Sequence, residues 1–299
     1  MKKMRGVITP ISTPMNEDQS VDFHSLKRLC DFLIEKGVYG LFPNGSTGEM
    51  LFLSIEERKK VLECCVEAAR GRVPVFSMVG AAATRDTIDL ARHALDCGAA
   101  GVGVVTPYYY KLDEEDLMEH YIAVSRSLPE DYPIYMYGIP QYAVNDISPR
   151  LALQVMRRAP NVVGLKYSYP DMGRIMDFCD MENGRASVLV GLDELFYPAL
   201  CMGADGTISG NSNVVPERIV GIYKAFAEGN HRGAKELQQR TNRITSAFCG
   251  KNLMAVYKCL LKHRGVISCD QLRAPLRRLN PAEAEKLIRF VEEADYTGC

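Results

Sequence analysis

Along the 299 residues of the chain, short apolar runs alternate with longer stretches whose apolar residues recur every three or four positions. The short runs are bounded by Gly, Pro or polar residues: Gly6 to Ile11, Gly40 to Asn44, Pro74 to Gly80, Gly101 to Thr106, Pro133 to Gly138, Val162 to Tyr167, Ser187 to Gly191 and Asp205 to Ser209. A near-continuous apolar run of this length is how a strand reads when both of its faces are buried, as in a parallel sheet. The longer stretches read as amphipathic helices. Phe23, Leu26, Leu29 and Leu33 mark one helical face, and Ile88, Ala91 and Leu95 mark another ahead of a terminating Gly98. Start signals fall where helices should open: Ser54 with Glu57 three residues on forms a capping box, and Ser148 precedes Pro149 at a first helical position. Alternation of strand and helix implies parallel pairing, and eight strands predict an α/β fold of the (β/α)8 TIM barrel type.

The strand pattern stops after Asn213, and roughly the last 70 residues read as helices. One of them opens at Asn280-Pro281-Ala282-Glu283, with cap, first-turn proline and capping glutamate together. A barrel of this type takes about 250 residues before additions, so the length suits one barrel with an appendage. Residues 1–228 are expected to form the catalytic barrel and residues 229–299 a C-terminal helical domain. No low-complexity segment or long linker lies between them, so the two should pack closely.

Composition narrows the function classes. Hydrophobic residues make up 47% and charged residues 24%, which suits a globular chain with a sizeable core. The net charge is -1, from 36 basic and 37 acidic residues, and no basic stripe interleaves with aromatics, so nucleic acid is not an expected partner. No stretch approaches the roughly 18 uninterrupted apolar residues of a membrane span. The opening Met1-Lys2-Lys3-Met4-Arg5 is followed by too little apolar sequence for a signal peptide, so a cytoplasmic location without a membrane partner is expected. The ten cysteines, Cys30, Cys64, Cys65, Cys97, Cys179, Cys201, Cys249, Cys259, Cys269 and Cys299, show no CxxC pair and are expected to act as small buried hydrophobes. The five histidines stand apart from one another and from cysteine, so no metal is expected.

Four features carry chemistry. Lys166 interrupts the run Val162-Val163-Gly164-Leu165-Lys166-Tyr167 near the carboxyl end of the sixth predicted strand, where barrel enzymes place their catalytic groups. Burial disfavours an ammonium and favours the uncharged, nucleophilic amine that imine formation requires. The alternative is a strand-end lysine that reaches solvent or pairs with a carboxylate. After the second strand, Asn44-Gly45-Ser46-Thr47-Gly48-Glu49 offers two glycines for a tight turn with inward amides, plus the Ser46 and Thr47 hydroxyls. Such a turn suits the carboxylate of a keto acid whose carbonyl must face the amine, although a purely structural turn explains the glycines as well. Tyr137, in Tyr135-Met136-Tyr137-Gly138-Ile139-Pro140, ends the strand next to that of Lys166, where its phenol can move protons or simply pack on the rim. Thr106-Pro107-Tyr108-Tyr109-Tyr110 gathers three tyrosines at the same end of the barrel, as an interface or as a loop packed on its own barrel.

Together, Gly45-Ser46-Thr47-Gly48-Glu49, Tyr137-Gly138-Ile139-Pro140, Gly164-Leu165-Lys166 and Gly203-Ala204-Asp205-Gly206 closely resemble the dihydrodipicolinate synthase and N-acetylneuraminate lyase family across nearly the whole chain. The resemblance implies a class I, Schiff-base aldolase or lyase that acts on pyruvate through a covalent imine on Lys166, with no cofactor. It also implies Tyr137 as the proton relay and Thr47 as the link from that phenol to Tyr109 of a neighbouring subunit. A homo-oligomer follows, in this family commonly a tetramer built as a dimer of dimers. Ser46 and Thr47 would bind the carboxylate, and main-chain groups of Gly191 and Ile208 would line the pyruvate pocket.

The chain departs from part of the family. Dihydrodipicolinate synthases usually carry an arginine two residues after the Tyr-x-x-Pro proline to grip aspartate semialdehyde, whereas Tyr142 stands there, and Gly138 replaces the usual asparagine. A phenol cannot reproduce the bidentate fork of arginine. Gly191-Leu192-Asp193-Glu194 resembles the Gly-x-Asp-Glu of the neuraminate lyases, whose acidic pair contacts substrate hydroxyls. Carboxylates accept hydrogen bonds from polyols well, or else Asp193 caps the next helix with Glu194 in its first turn. Gly210 stands where those lyases often place a serine, so sialic acid is one candidate among sugar acids such as 2-keto-3-deoxygluconate. The expected partners are therefore pyruvate and a sugar-derived aldehyde, with Tyr142, Asp193 and Glu194 facing the latter. The alternatives are dihydrodipicolinate synthesis, a barrel that binds a keto acid without turnover, and a phosphate-dependent barrel enzyme using Gly203, Gly206 and Gly210.

Overall fold

A computed structural model describes residues 3–294. Eight strands pair in parallel: β1 (Gly6–Thr9), β2 (Gly40–Leu41), β3 (Phe76–Met78), β4 (Gly101–Val105), β5 (Ile134–Gly138), β6 (Val162–Tyr167), β7 (Ser187–Val190) and β8 (Gly206–Ile208). Each lies inside one of the apolar runs. Their order is β2-β1-β8-β7-β6-β5-β4-β3, and the remaining gap is bridged where Leu41 pairs with Val75 and the Met78 amide donates to the Pro43 carbonyl at 3.1 Å. The sheet thus closes on itself as a (β/α)8 barrel.

The helices are α1 (Phe23–Glu35), α2 (Ile55–Ala69), α3 (Thr84–Asp96), α4 (Glu114–Arg126), the short α5 (Pro140–Ala143), α6 (Pro149–Arg158), α7 (Met172–Asp180), α8 (Phe196–Cys201), α9 (Pro216–Ala227), α10 (His231–Thr245), α11 (Leu253–His263) and α12 (Pro281–Glu293). Their starts follow the capping chemistry. Ser54 and Glu57 form a reciprocal box on α2, Asn280 and Glu283 do the same on α12, and the Ser148 hydroxyl accepts from the Leu151 amide at 3.0 Å. Leu26, Leu29 and Leu33 are buried on α1, whereas the buried face of α3 is Thr87, Leu90, Ala91 and Ala94. Ala91 of the expected face is among them, and Ile88 and Leu95 are partly buried against the same core. Thr87 is buried beside that face, its hydroxyl accepting from the Ala81 amide at 3.0 Å.

The pleat sorts the strand residues into two cores. Met136, Leu165, Tyr167 and Val190 point outward to the helix layer, while Tyr135, Tyr137, Leu189 and Ile208 point into the barrel with Ile8, Phe42 and Phe76. The nine described cysteines are free thiols, but Cys201 and Cys249 are exposed, against the expectation of uniform burial. Cys201 ends α8 and Cys249 follows a helical turn, both on the solvent side. Cys299 lies outside the described residues. Among the described residues no helix is long and apolar enough to cross a membrane.

Candidate active site

The parallel register of β5 and β6 pairs Tyr137 with Lys166, and the register of β6 and β7 pairs Lys166 with Leu189. Because its neighbours Leu165 and Tyr167 face the helices, Lys166 is the residue of that strand end which faces the barrel interior. It is 7% exposed, and its Nζ lies 4.1 Å from the centre of the Tyr137 ring and 5.9 Å from that of Phe42. The amine therefore rests on an aromatic face, a favourable seat for a cation and an apolar one for the free base. No ion pair holds Lys166 among the described residues, so the reading of a lysine paired with a carboxylate does not apply. Gly191 makes this position possible. A Cβ at residue 191 would lie 1.8 Å from Ser168 Oγ and 2.9 Å from Lys166 Cε, so any side chain there would displace the amine. The Gly191 amide donates to the Tyr167 carbonyl at 2.9 Å, which leaves only its carbonyl for a ligand, and Ile208 is buried on β8 beside Ile8.

The turn after β2 differs from the expectation in its mechanics. Ser46–Gly48 form a 3-10 turn, and the left-handed residues that shape it are Asn44 (φ 65°) and Glu49 (φ 61°), not the glycines. Gly48 is required for clearance instead, since a Cβ there would meet the Ile11 carbonyl at 2.9 Å. Thr13 Oγ1 donates to the Gly48 carbonyl at 2.8 Å, and Asn44 Nδ2 donates to the Arg58 carbonyl at 2.9 Å. Ser46 and Thr47 are half-buried, and their amides open the turn without an acceptor inside it. That combination of amides and hydroxyls is suited to a carboxylate.

Asp193 lies on the far side of the mouth. It opens a 3-10 turn, Asp193–Leu195, but its side chain caps nothing there. Its Oδ2 accepts from the Asn211 amide, after the neighbouring strand β8, at 3.0 Å, while its Oδ1 is buried without a hydrogen-bond partner among the described residues. The helix-capping alternative is therefore ruled out. Burial pushes the Asp193 carboxyl up to about 6, against hydrogen bonds from Ser209 and the Asn211 amide, with the Glu194 charge adding to the rise. Glu194 itself is exposed.

Tyr137 is buried and Thr47 half-buried, but Tyr109 is 80% exposed, and no hydrogen bond joins the three within one chain among the described residues. Tyr109 has φ 82° and packs edge-on against Tyr110, whose ring is 5.0 Å away and also exposed. The reading of the tyrosine run as a loop packed on its own barrel fails for these two rings. Their loop is held by Asn145, whose side chain donates to the Pro107 and Tyr110 carbonyls at 2.8 Å each and accepts from the Leu112 amide at 2.9 Å. Tyr142, on α5, is 73% exposed.

Several groups at the mouth were not singled out by sequence. Phe42 forms the floor beneath the amine, Ser168 Oγ is buried without a partner beside Gly191, and Tyr257 of α11 donates to Asn211 Oδ1 at 2.9 Å. Tyr257 also explains Gly210: a Cβ there would lie 2.8 Å from the phenol oxygen. Ser168 follows Lys166 by two residues on the same face, a period-2 signal that points to it directly. Tyr257 carries no such signal, because it comes from a helix far along the chain.

A closed parallel barrel whose polar groups gather at the carboxyl ends of its strands is the architecture of a barrel enzyme. The chain matches the model of the dihydrodipicolinate synthetase family over residues 3–294, and it belongs to that family of class I pyruvate-dependent aldolases, whose members are lyases and synthases. It is 32% identical over 289 residues to a 4-hydroxy-tetrahydrodipicolinate synthase from Thermus thermophilus, covering 96% of this chain and 95% of that one. A structure of YagE, a prophage protein of the dihydrodipicolinic acid synthase family from E. coli K12 in complex with pyruvate, superposes with a TM-score of 0.93 at 28% identity, covering 98% of this chain and 99% of that one. A catalytic-lysine mutant of the Ruminococcus gnavus sialic acid aldolase gives a TM-score of 0.91 at 28% identity, over 97% of this chain and 96% of that one.

Proposed function

We propose that this aldolase makes or breaks the carbon–carbon bond between pyruvate and a polyhydroxylated, sugar-derived aldehyde, with pyruvate held as an imine on Lys166. The observation that carries the reading is the buried Lys166 amine, 4.1 Å above the Tyr137 ring on the adjacent strand, in a space that only glycine at 191 leaves open. The amine adds to pyruvate C2, the keto oxygen takes a proton with help from Tyr137, and water leaves to give the iminium. The positive nitrogen acidifies the methyl group, and loss of one proton gives the enamine. Its C3 attacks the aldehyde carbon, whose oxygen takes a proton, and addition of water then frees the product and the lysine. Cleavage is the same sequence reversed. The Ser46 and Thr47 amides and hydroxyls hold the pyruvate carboxylate so that C2 faces the amine.

The exposed Tyr109 supports the remaining link in this reading, a proton path through Thr47 completed by Tyr109 of a second copy in a homotetramer. The aldehyde is read from Asp193. A buried carboxyl with a vacant oxygen accepts a hydrogen bond from a hydroxyl, and when ionised it would repel the carboxylate of aspartate semialdehyde. The synthase reading is supported by the Thermus relative, but exposed Tyr142 supplies no cation for that carboxylate.

Borohydride reduction in the presence of pyruvate tests the central step. Trapping is expected to add the pyruvate-derived mass at Lys166, and an unchanged mass or a different lysine would overturn the proposal. A panel of hydroxylated aldehydes and aspartate semialdehyde, run with pyruvate, tests the second substrate. Turnover fastest with aspartate semialdehyde would refute the sugar assignment, and trapping without turnover of any aldehyde or 2-keto acid would leave a keto-acid-binding barrel.

A further inference from the structure

Lys258 of α11 is buried without exposed area and forms an ion pair with Glu49, whose side chain is equally buried. Glu49 ends the Ser46–Gly48 turn, and its own amide donates to the Ser46 carbonyl at 3.1 Å. Two observations set this pair apart from ordinary stabilising contacts. A fully buried ion pair seldom adds net stability over an apolar replacement of the same volume. Glu49 also sits at φ 61°, a left-handed conformation that glycine adopts without strain and a glutamate does not. The position thus keeps an unfavourable residue in an unfavourable environment, and what the carboxylate does there is hold the turn.

Its surroundings show how. The second oxygen of Glu49 accepts from the Arg273 amide at 3.0 Å, and Lys258 Nζ donates onward to the Gln271 carbonyl at 2.8 Å. Arg273 continues the grip on the same segment: its guanidinium donates to the Phe52 carbonyl at 3.1 Å and pairs with Glu57 at 2.7 Å. Apart from the Lys258–Gln271 bond, which ties α11 to the segment after it, these contacts run from the C-terminal part to the stretch from Glu49 into the first turn of α2. Burial pulls the Lys258 amine below its usual range, and the Glu49 charge opposes that fall.

We infer that Lys258 and Glu49 are positioning residues for the pyruvate carboxylate: through this buried pair the C-terminal helices set the Ser46–Thr47 turn against the Lys166 amine. The inference rests on the reading of pyruvate as the imine-forming substrate. A shift of the turn would weaken carboxylate binding and leave the amine itself intact, so the expected defect lies in half-saturation and not in the extent of reaction.

The test is borohydride trapping across a range of pyruvate concentrations, read as intact mass. Glu49→Gln/Lys258→Met removes both charges together, so that neither is left buried alone, and Glu49→Asp keeps both charges but shortens the strut. In each variant that melts cooperatively, the pyruvate concentration for half-maximal trapping is expected to rise by roughly tenfold or more, with near-complete trapping at saturation. Glu49→Asp carries the test should the double variant not fold. Half-saturation within twofold of the wild type in any folded variant overturns the positioning role, as does a lower plateau at unchanged half-saturation. Should the wild-type protein not trap pyruvate at all, the proposed function fails and this inference falls with it, whereas wild-type trapping with unshifted folded variants overturns this inference alone.

Discussion

Asp193 offers the sharpest test of the barrel mouth, because its chemistry and its effect on stability predict opposite responses to one substitution. Its carboxyl goes from an ordinary 3.8 to about 6 on folding, chiefly through burial. At about 1.36 kcal/mol per tenfold change in proton affinity, holding it ionised in the folded protein costs roughly 3 kcal/mol at pH 8. The sign is fixed by proton uptake: between pH 4 and 6 the folded state binds more protons than the unfolded one, so this group's contribution is most favourable below its unfolded value and is lost as the pH rises through about 6. At pH 5 the cost is about half of its value at pH 8.

Asp193→Asn keeps an oxygen for the Asn211 amide and removes the charge. It should therefore be more stable than the wild type by about 1–3 kcal/mol at pH 8, with the gain shrinking toward zero as the pH approaches 4. Urea unfolding of both proteins at pH 8 and pH 5 measures the difference. His120 has the opposite dependence, since burial pulls its imidazole down to about 4, but both proteins carry it and it cancels. The same substitution is expected to raise the KM for the hydroxylated substrate by roughly tenfold while pyruvate trapping keeps its half-saturation, because one charged hydrogen bond to a hydroxyl is worth about 1.5 kcal/mol. A variant less stable than the wild type at pH 8, or a gain that does not shrink at pH 5, would refute the burial argument. An unchanged KM would refute the assignment of Asp193 to the aldehyde side.

Gly191→Ala should lower kcat by roughly 100-fold or more, because its Cβ falls 1.8 Å from Ser168 Oγ and 2.9 Å from Lys166 Cε; Gly191→Ala/Ser168→Gly, which vacates part of that volume, should recover some of the loss in the same steady-state assay. Lys166→Met retains the buried stem without the amine, so no pyruvate adduct should be trapped at all, while the melting temperature should stay at or above that of the wild type. Tyr109→Glu/Tyr110→Glu should shift the sedimentation coefficient to that of a monomer and depress kcat; a wild-type protein that already sediments as a monomer would remove the partner tyrosine from the mechanism.

The barrel was legible because the signals that specify it are local. Each strand is a short apolar run between breakers, and the capping boxes at Ser54 and Asn280 mark helix starts to the residue. Lys166 was legible for a related reason: in an apolar run whose alternate residues face the helices, a lysine must point into the barrel. The turn at Gly45 was harder. Glycine suggests a left-handed backbone, yet Asn44 and Glu49 take those conformations, and Gly48 answers to the Ile11 carbonyl, a contact between segments that no local pattern announces. On α3 the apolar periodicity named residues that do pack on the core, Ile88, Ala91 and Leu95, and it passed over Thr87, buried with its hydroxyl in a hydrogen bond to the Ala81 amide.

Lys258 shows where the same reasoning had more to give. It interrupts the apolar stretch Leu253-Met254-Ala255-Val256-Tyr257-Lys258-Cys259-Leu260-Leu261 much as Lys166 interrupts its strand, and a lysine in such a run calls for a reason in both places. What differs is the partner. Lys166 has an aromatic face and, among the described residues, no ion-paired carboxylate, which leaves its amine available, whereas Lys258 has Glu49, which fixes it. Successive residues on a helix point about 100° apart, so α11 sends Tyr257 to Asn211 beside Asp193 and Lys258 to Glu49 at the end of the Ser46–Gly48 turn. One helix outside the barrel thereby touches both halves of the proposed substrate site, and a rigid shift of α11 would change the distance between them. The C-terminal helices are on this view part of the mouth's geometry, which is why substitutions in the Lys258 pair and at Asp193 should act on different substrates of the same reaction.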